Sequence, residues 1–301
     1  MIVFSSDFRR QARGDKLFDL INVLLLVLVL AVILYPLWFV VIASFSDPMK
    51  VASGEMLLLP KGITLEGYRM ILRDPMIGIG YRNTLFYTLL GTAVNVLLTT
   101  LAAYPLSRKD WVGRRFFMGV LTFTMFFSGG IIPTYLTMNS LGVINTVWAL
   151  VIPGAVSVYN TIVMRTYFIN SIPLELQEAA MVDGSTNFGL LFRIVLPLSK
   201  PILAVMLLFY GVAQWNAFFG ALIYITKSDM YPLQLVLRSI LIQNQMSQDM
   251  LGDVDTLASR TVMAELIKYA LIIVSTLPMM VLYPFLQRYF VKGIMVGALK
   301  G

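Results

Sequence analysis

The chain has 301 residues, 58% of them hydrophobic and only 13% charged, against about 25% charged in an ordinary soluble domain, so its composition is that of a membrane protein. The formal charge of +7 does not mark nucleic-acid binding, because the basic residues are scattered between apolar runs and assemble no basic face. With no cysteine and no histidine, disulfide frameworks, thiolate nucleophiles, Cys or His metal sites and imidazole bases are excluded.

A hydrocarbon core about 30 Å thick needs roughly 20 apolar residues of helix, and about six windows meet that need, near 17–43, 84–106, 116–138, 146–168, 202–225 and 269–290. The runs are continuous rather than alternating in polarity, which predicts helices and not barrel strands. The first run follows Arg9, Arg10, Arg13 and Lys16, as a signal peptide would. It is too long for one and lacks a small-residue cleavage site, so it is expected to stay as an anchor. The predicted organisation is a tail at 1–16, a six-helix transmembrane domain at 17–290 and a tail at 291–301.

Charge bias sets the expected topology. Arg108, Lys109, Arg114 and Arg115 follow the second window and Arg288, Lys292 and Lys300 lie near the end, whereas Asn139 to Asn145 carries no basic residue. Both termini, the 107–115 connection and the 169–201 loop are therefore expected on the cytoplasmic side of a bacterial cell membrane, with 44–83 and 226–268 as structured external loops. In the second of these, DMLGDVD clusters Asp249, Asp253 and Asp255 without the spacing of a calcium loop, and is read as solvated. Pro36, Pro133, Pro153, Pro278 and Pro284, with Gly129 and Gly130, are expected to bend their helices.

Between the fourth and fifth windows the chain reads QEAAMVDGSTNFGLLFRIVLPLSKP from Gln177 to Pro201. Pro173 suits a helix start, Glu175 and Glu178 favour its positive end, and Gly184 supplies a stop, which predicts one helix of about ten residues. Ser185 or Thr186 can cap a second helix leading past Pro197 and Pro201 into the fifth span. So short a helix is marginal alone in water and must pack on something, either a partner groove or its own bundle.

The string Glu178, Ala179, Ala180, then Asp183 and Gly184, then Ile194, Leu196 and Pro197 resembles the EAA loop of permease subunits of bacterial ATP-binding-cassette importers. The likeness extends over nearly the whole chain. IPLELQEAAMVDGSTNFGLLFRIVLPLSKP, WNAFFGALIYI and PFLQRYFVKGIMVGALKG are similar to the carbohydrate-uptake, maltose-type branch, within it most to permeases for lipo-oligosaccharides, aldouronates and pectic oligosaccharides. The resemblance implies an all-α integral membrane protein of type I importer fold, with six transmembrane helices and a cytoplasmic coupling helix. Glu178, Ala179, Ala180, Asp183 and Gly184 would dock into an ATPase cleft, with Leu196 and Pro197 completing the motif. It also implies a heterodimer with a second related permease, two ATPase subunits and an extracytoplasmic sugar-binding protein. No cofactor is expected on this chain, ATP and magnesium belonging to the ATPases, and the sequence has no GxxxxGK[ST] phosphate loop.

A sugar path needs hydrogen-bonding groups and aromatic platforms within the membrane, where unpaired polar groups are expensive. Tyr159 and Asn160 in the fourth span and Tyr210, Gln214, Trp215 and Asn216 in the fifth are the candidates. Tyr210 and Gln214 share a face, and Trp215 is expected to point away, toward lipid or a partner. Arg165 is expected to snorkel to the headgroups, unless the substrate carries carboxylates. A secondary transporter or channel-like protein for small polar solutes is the rival reading, but no span holds an acidic residue in its middle. A serine hydrolase built on Ser128 would lack a base.

Overall fold

The computed structural model describes residues 13–249, 267–282 and 284, and among these the chain is helical without a strand. It divides into two compact units, one drawn from Met1–Ile71 and Asn244–Val274 and the other from Leu72–Gln243 and Ser275–Gly301.

In the first unit, helix α1 (Arg13–Ser44) matches the first predicted window, with Asp15 in its positive first turn and Pro36 inside it. Its apolar side chains from Leu17 to Trp38 are largely exposed within the chain, which demands a non-aqueous surrounding. Only its end packs. Ile42 and Ala43 join Val51 and Met56 in a small core closed by Phe39 and Tyr269. The chain then turns through α2 (Pro48–Ala52), capped by the Asp47 carboxylate accepting from the Met49 amide at 2.9 Å, and reaches α3 (Glu66–Arg73). Tyr68 donates to Ser44 Oγ at 2.7 Å and the Trp38 indole to the Leu58 carbonyl at 2.9 Å. Those two bonds fold the connection back onto the end of α1.

The second unit is organised on α4 (Pro75–Ser107). The helix begins at Pro75, earlier than the window starting at 84, because Asp74 accepts from the Met76 amide at 2.8 Å and Pro75 fills the first helical position. Hydropathy missed this turn-by-turn extension because Arg82, Asn83 and Thr84 lower it. Two further windows are broken helices. Helix α5 (Arg114–Phe126) and α6 (Ile131–Ser140) are bent by 116° to one another. The break falls at Gly130, whose φ of 84° and ψ of −179° only glycine adopts without strain. Helix α7 (Trp148–Val151), its 3-10 continuation to Gly154 and α8 (Val158–Ser171) are bent by 58°, with Ser157 capping α8.

After α8 come α9 (Leu174–Val182), α10 (Asn187–Leu190), a five-residue π turn at Leu191–Val195 and α11 (Leu196–Leu198). At Ser199 the path bends by 85° into α12 (Lys200–Trp215). Pro197 and Pro201 withhold two backbone donors here, which is what releases the ladder into a wide turn and a corner. The fifth window does not run unbroken to 225. It stops at Trp215, where Asn216 turns its side-chain amide back to the Val212 carbonyl at 2.9 Å, and resumes as α13 (Phe219–Tyr224). The predicted loop after it contains α14 (Leu233–Asp249). The sixth window begins with α15 (Ile267–Leu282). Asp253, Asp255 and the tail at 291–301 lie outside the described residues.

One buried cluster in the second unit ties α4, α8, α9 and α12 together. Ala103 and Tyr104 of α4, Met164 and Phe168 of α8, Ala180 of α9, Leu190, Leu191 and Val195 of the following turns, and Met206 and Tyr210 of α12 share it. By length and composition, two described helices are able to cross a membrane singly, and each bent pair counts as a further span.

Candidate functional site

Helix α9 forms as the residues dictate, and its ending is the best-defined feature of the loop. The Ser185 amide donates to the Ala180 carbonyl at 2.9 Å and the Gly184 amide to Met181 at 3.0 Å, a paired closure with Gly184 at a φ of 77°. A Cβ at 184 would meet nothing within 4 Å, so the requirement there is backbone conformation and not space. Thr186 then accepts from the Gly189 amide at 3.1 Å and starts α10. The helix starts one residue later than expected, at Leu174, with Pro173 in the capping position.

The two faces of α9 differ. Ala180 is 4% exposed and sits in the shared core. Beside it, Gln177 accepts from Arg108 Nη1 at 2.9 Å, and Met181 Sδ receives Nη2 at 3.4 Å. The opposite stripe, Leu174, Glu178 and Val182 at four-residue spacing, is exposed together with Ala179. Val182 is 88% exposed, a large apolar side chain left bare beside a carboxylate. Asp183 and Gly184 are also exposed, whereas Leu196 packs against the core and Pro197 is exposed on α11. The structure thus leaves Glu178, Ala179, Asp183, Gly184 and Pro197 exposed, buries Ala180 in the core and packs Leu196 against it.

Arg108 is the residue that sequence reasoning misread as a topology charge alone. It follows the last turn of α4 and is 7% exposed. Its guanidinium grips Asp110 with both arms, Nε to Oδ1 at 2.9 Å and Nη2 to Oδ2 at 2.7 Å, while the remaining arm reaches Gln177. The hydrogen bonds that Arg108 donates hold the Asp110 carboxyl below its usual range, and the carboxylate that accepts them pushes the guanidinium up. Both groups are therefore charged throughout the physiological range. The only hint in the sequence is Asp two residues after Arg at a helix end; the partner 69 residues away is not visible there.

The six candidates for the sugar path do not form one open site. Tyr210 is buried, sharing a hydrogen bond with Thr99 Oγ1 at 2.6 Å and accepting from the Ser157 amide at 3.1 Å. Gln214 lies on the same side of α12, its Cδ close enough to Gly91 that a Cβ there would stand 2.8 Å away. Trp215 does not face lipid. It is 2% exposed, and its indole donates to the Ser275 carbonyl at 3.0 Å, because a buried ring N–H requires an acceptor. Asn160 is buried, Tyr159 is exposed, and Asn216 is exposed with its amide spent on its own helix. Facing Tyr210 and Gln214, α4 carries a polar stripe that the sequence reading passed over: Thr88, Thr92, Asn95 and Thr99. Of these, Thr88 Oγ1, Thr92 Oγ1 and Asn95 Oδ1 are buried without a hydrogen-bond partner among the described residues. The four-and-three spacing within an apolar window was the available signal.

At its other end α4 is fixed to the segment after α13. Asn83 donates to the carbonyls of Asp229 at 2.8 Å and Tyr231 at 3.1 Å, Tyr87 donates to Met230 at 3.0 Å, and Thr84 accepts from the Leu233 amide at 2.7 Å.

Residues 2–296 match the family described as binding-protein-dependent transport system inner membrane component. The chain is 38% identical over 289 residues to Protein LplC of Bacillus subtilis, covering 96% of this chain and 97% of that protein. It is 39% identical over 288 residues to the polygalacturonan/rhamnogalacturonan transport system permease protein YtcP of the same organism, covering 95% and 99%. Among solved structures, a bacterial ABC transporter involved in import of the acidic polysaccharide alginate has a chain that superposes with a TM-score of 0.83 at 31% identity, over 93% of this chain and 99% of that one.

Proposed function

This chain belongs to the family of binding-protein-dependent transport system inner membrane components, and from that premise we propose that it pairs with a second, related permease to move uronate-containing oligosaccharides into the cell. Energy comes from two separate ATPase subunits, which hold ATP and magnesium, and an extracytoplasmic sugar-binding protein delivers the substrate. Both termini and α9 face the cytoplasm.

The observation that carries this reading is the two-sidedness of α9. Its inner face is fixed by Ala180 in the core and by Arg108 on Gln177, and its outer stripe of Leu174, Glu178 and Val182 is bare. A helix of nine residues is marginal by itself, so one anchored face and one open apolar face describe a handle. An ATPase cleft that takes the open face and moves would carry α4 with it through Arg108. The polar stripe of α4 and the facing Tyr210 and Gln214 would then be drawn apart, opening a path whose groups suit sugar hydroxyls. The carboxylate-bearing substrate class is supported by the relatives whose substrates are polygalacturonan, rhamnogalacturonan and alginate.

The absence of cysteine makes the test direct. Glu178→Cys introduces the chain's single thiol, and a short bifunctional reagent on it is expected to join this chain to the ATPase in membranes. Labelling of that thiol in intact cells by a membrane-impermeant maleimide would place α9 outside and overturn the reading. ATP-dependent uptake of labelled oligogalacturonate into vesicles, set against neutral oligosaccharides of the same length, tests the substrate class.

A further inference from the structure

We propose that this chain carries a binding site for an anionic phospholipid, in a cavity between α5 and α8. The cavity has a volume of about 650 Å³. Its head is basic, formed by Arg114, Arg115 and Arg165, and its other end is apolar, formed by Met118, Phe123 and Phe127.

None of the three arginines is ion-paired among the described residues. Arg165 spends only its Nε, on the Leu106 carbonyl at 2.9 Å, and Arg114 only one arm, on the Arg108 carbonyl at 3.5 Å. Those two anchors set the depth. Both guanidiniums lie level with the last turn of α4, next to the loop that carries Arg108, and so at the membrane boundary. Three cations converging without a counter-ion call for an anion, and a phosphate oxygen set is what planar guanidiniums bind best.

The far half of the cavity decides between an amphiphile and a saccharide. Thr122 is the one polar side chain there, and its hydroxyl already donates to the Met118 carbonyl at 2.8 Å. An oligouronate carries a charge and several hydroxyls on every ring, and this half offers them nothing. A lipid has its charge at one end and hydrocarbon at the other, as the cavity does. Basic pockets between helices at the cytoplasmic face are the usual form of such sites.

The test uses the whole transporter complex, purified in detergent and analysed by native mass spectrometry after incubation with phosphatidylglycerol, with phosphatidylcholine of the same chains, or with inorganic phosphate. Retention of phosphatidylglycerol over phosphatidylcholine by about tenfold is expected. Arg114→Gln with Arg115→Gln should bring that preference near unity, and the corresponding double lysine variant should restore most of it. Equal retention of both lipids by the unaltered complex would overturn the proposal, as would an unchanged preference in the glutamine variant. Displacement of the lipid by millimolar inorganic phosphate would make this a free-anion site, and displacement by oligogalacturonate would make it part of the substrate path; either result also overturns it. ATP-driven uptake measured on the same preparations reports on the transport reading separately.

Discussion

Arg108 shows how much one side chain decides in this molecule. Its guanidinium is buried, and its three arms join the end of α4, the following loop and α9. Truncation to alanine frees Asp110, which is 64% exposed and regains water easily, but it leaves the Gln177 carbonyl without its charged donor. Hydrogen bonds to charged groups contribute about 1.5–3 kcal/mol. Arg108→Ala is therefore expected to lower ATP-driven uptake at least about tenfold, while Glu178→Cys still crosslinks to the ATPase. Loss of the crosslink as well would mean that Arg108 merely holds α9 folded. Gly184 is the second decisive residue. Proline there cannot take a φ of 77° and removes the amide that donates to Met181. Gly184→Pro should abolish uptake with membrane insertion intact, and so should Glu178→Lys, which reverses the charge on the open stripe without touching the fold. Normal transport by either variant, measured against the amount of chain in the membrane, would remove α9 from the coupling role.

At the scale of elements, the contact between α4 and α12 carries an unresolved cost. Thr88, Thr92 and Asn95 each bury a polar atom without a partner among the described residues, and each such atom costs about 1–3 kcal/mol. A protein with two conformations tolerates that cost where the other conformation, or a bound sugar, satisfies the group. Thr92→Val keeps the shape and removes the hydroxyl. It should raise the unfolding midpoint of the purified complex, by about 1 kcal/mol in stability, and slow uptake by favouring the packed state. Greater stability with unchanged uptake would show that this hydroxyl serves no transport state. The same stripe marks the limit of reading by hydropathy. The α9 ending was legible, since Gly184, Thr186 and the carboxylates are local signals that act within one turn. The spans were legible as apolar runs, and the break at Gly130 as a Gly-Gly pair just before Pro133, but the break at Asn216 and the corner at Ser199 were not, because an apolar window averages over them. Trp215 was misplaced for a different reason: the acceptor of its indole, Ser275, is 60 residues away, and no local pattern announces it.

For the whole molecule, composition already constrains how it responds to pH. The chain has no histidine, so no side chain ordinarily titrates between about pH 5.5 and 7. The Asp110 carboxyl is held below its usual range by Arg108. The stability from that depressed group is present above the ordinary carboxylate pKa and is lost only as pH falls through the lower folded value. The unfolding midpoint of the purified chain should thus be flat from about pH 5.5 to 7 and decline only in acid. A midpoint that moves within that window would overturn this expectation.

The longest described helix of the second unit is α4. Its 33 residues make a rod about 50 Å long at 1.5 Å per residue. Arg108 ties one end of it to α9, and Asn83, Thr84 and Tyr87 tie the other to residues 229–233. If α9 is the handle on the cytoplasmic side, residues 229–233 lie on the external side, where a sugar-binding protein arrives. A rigid helix fastened at both ends passes a displacement from one face of the membrane to the other without a chain of soft contacts between them. Asn83→Ala removes the two bonds to Asp229 and Tyr231, each contributing about 1 kcal/mol, enough together for roughly a thirtyfold change in a coupled equilibrium. The expected result is loss of the stimulation that loaded binding protein gives to ATP hydrolysis, with basal hydrolysis and ATPase docking retained. Equal loss of basal hydrolysis would mean that the variant disturbs assembly, and full retention of stimulation would show that the external signal reaches the ATPases by another helix.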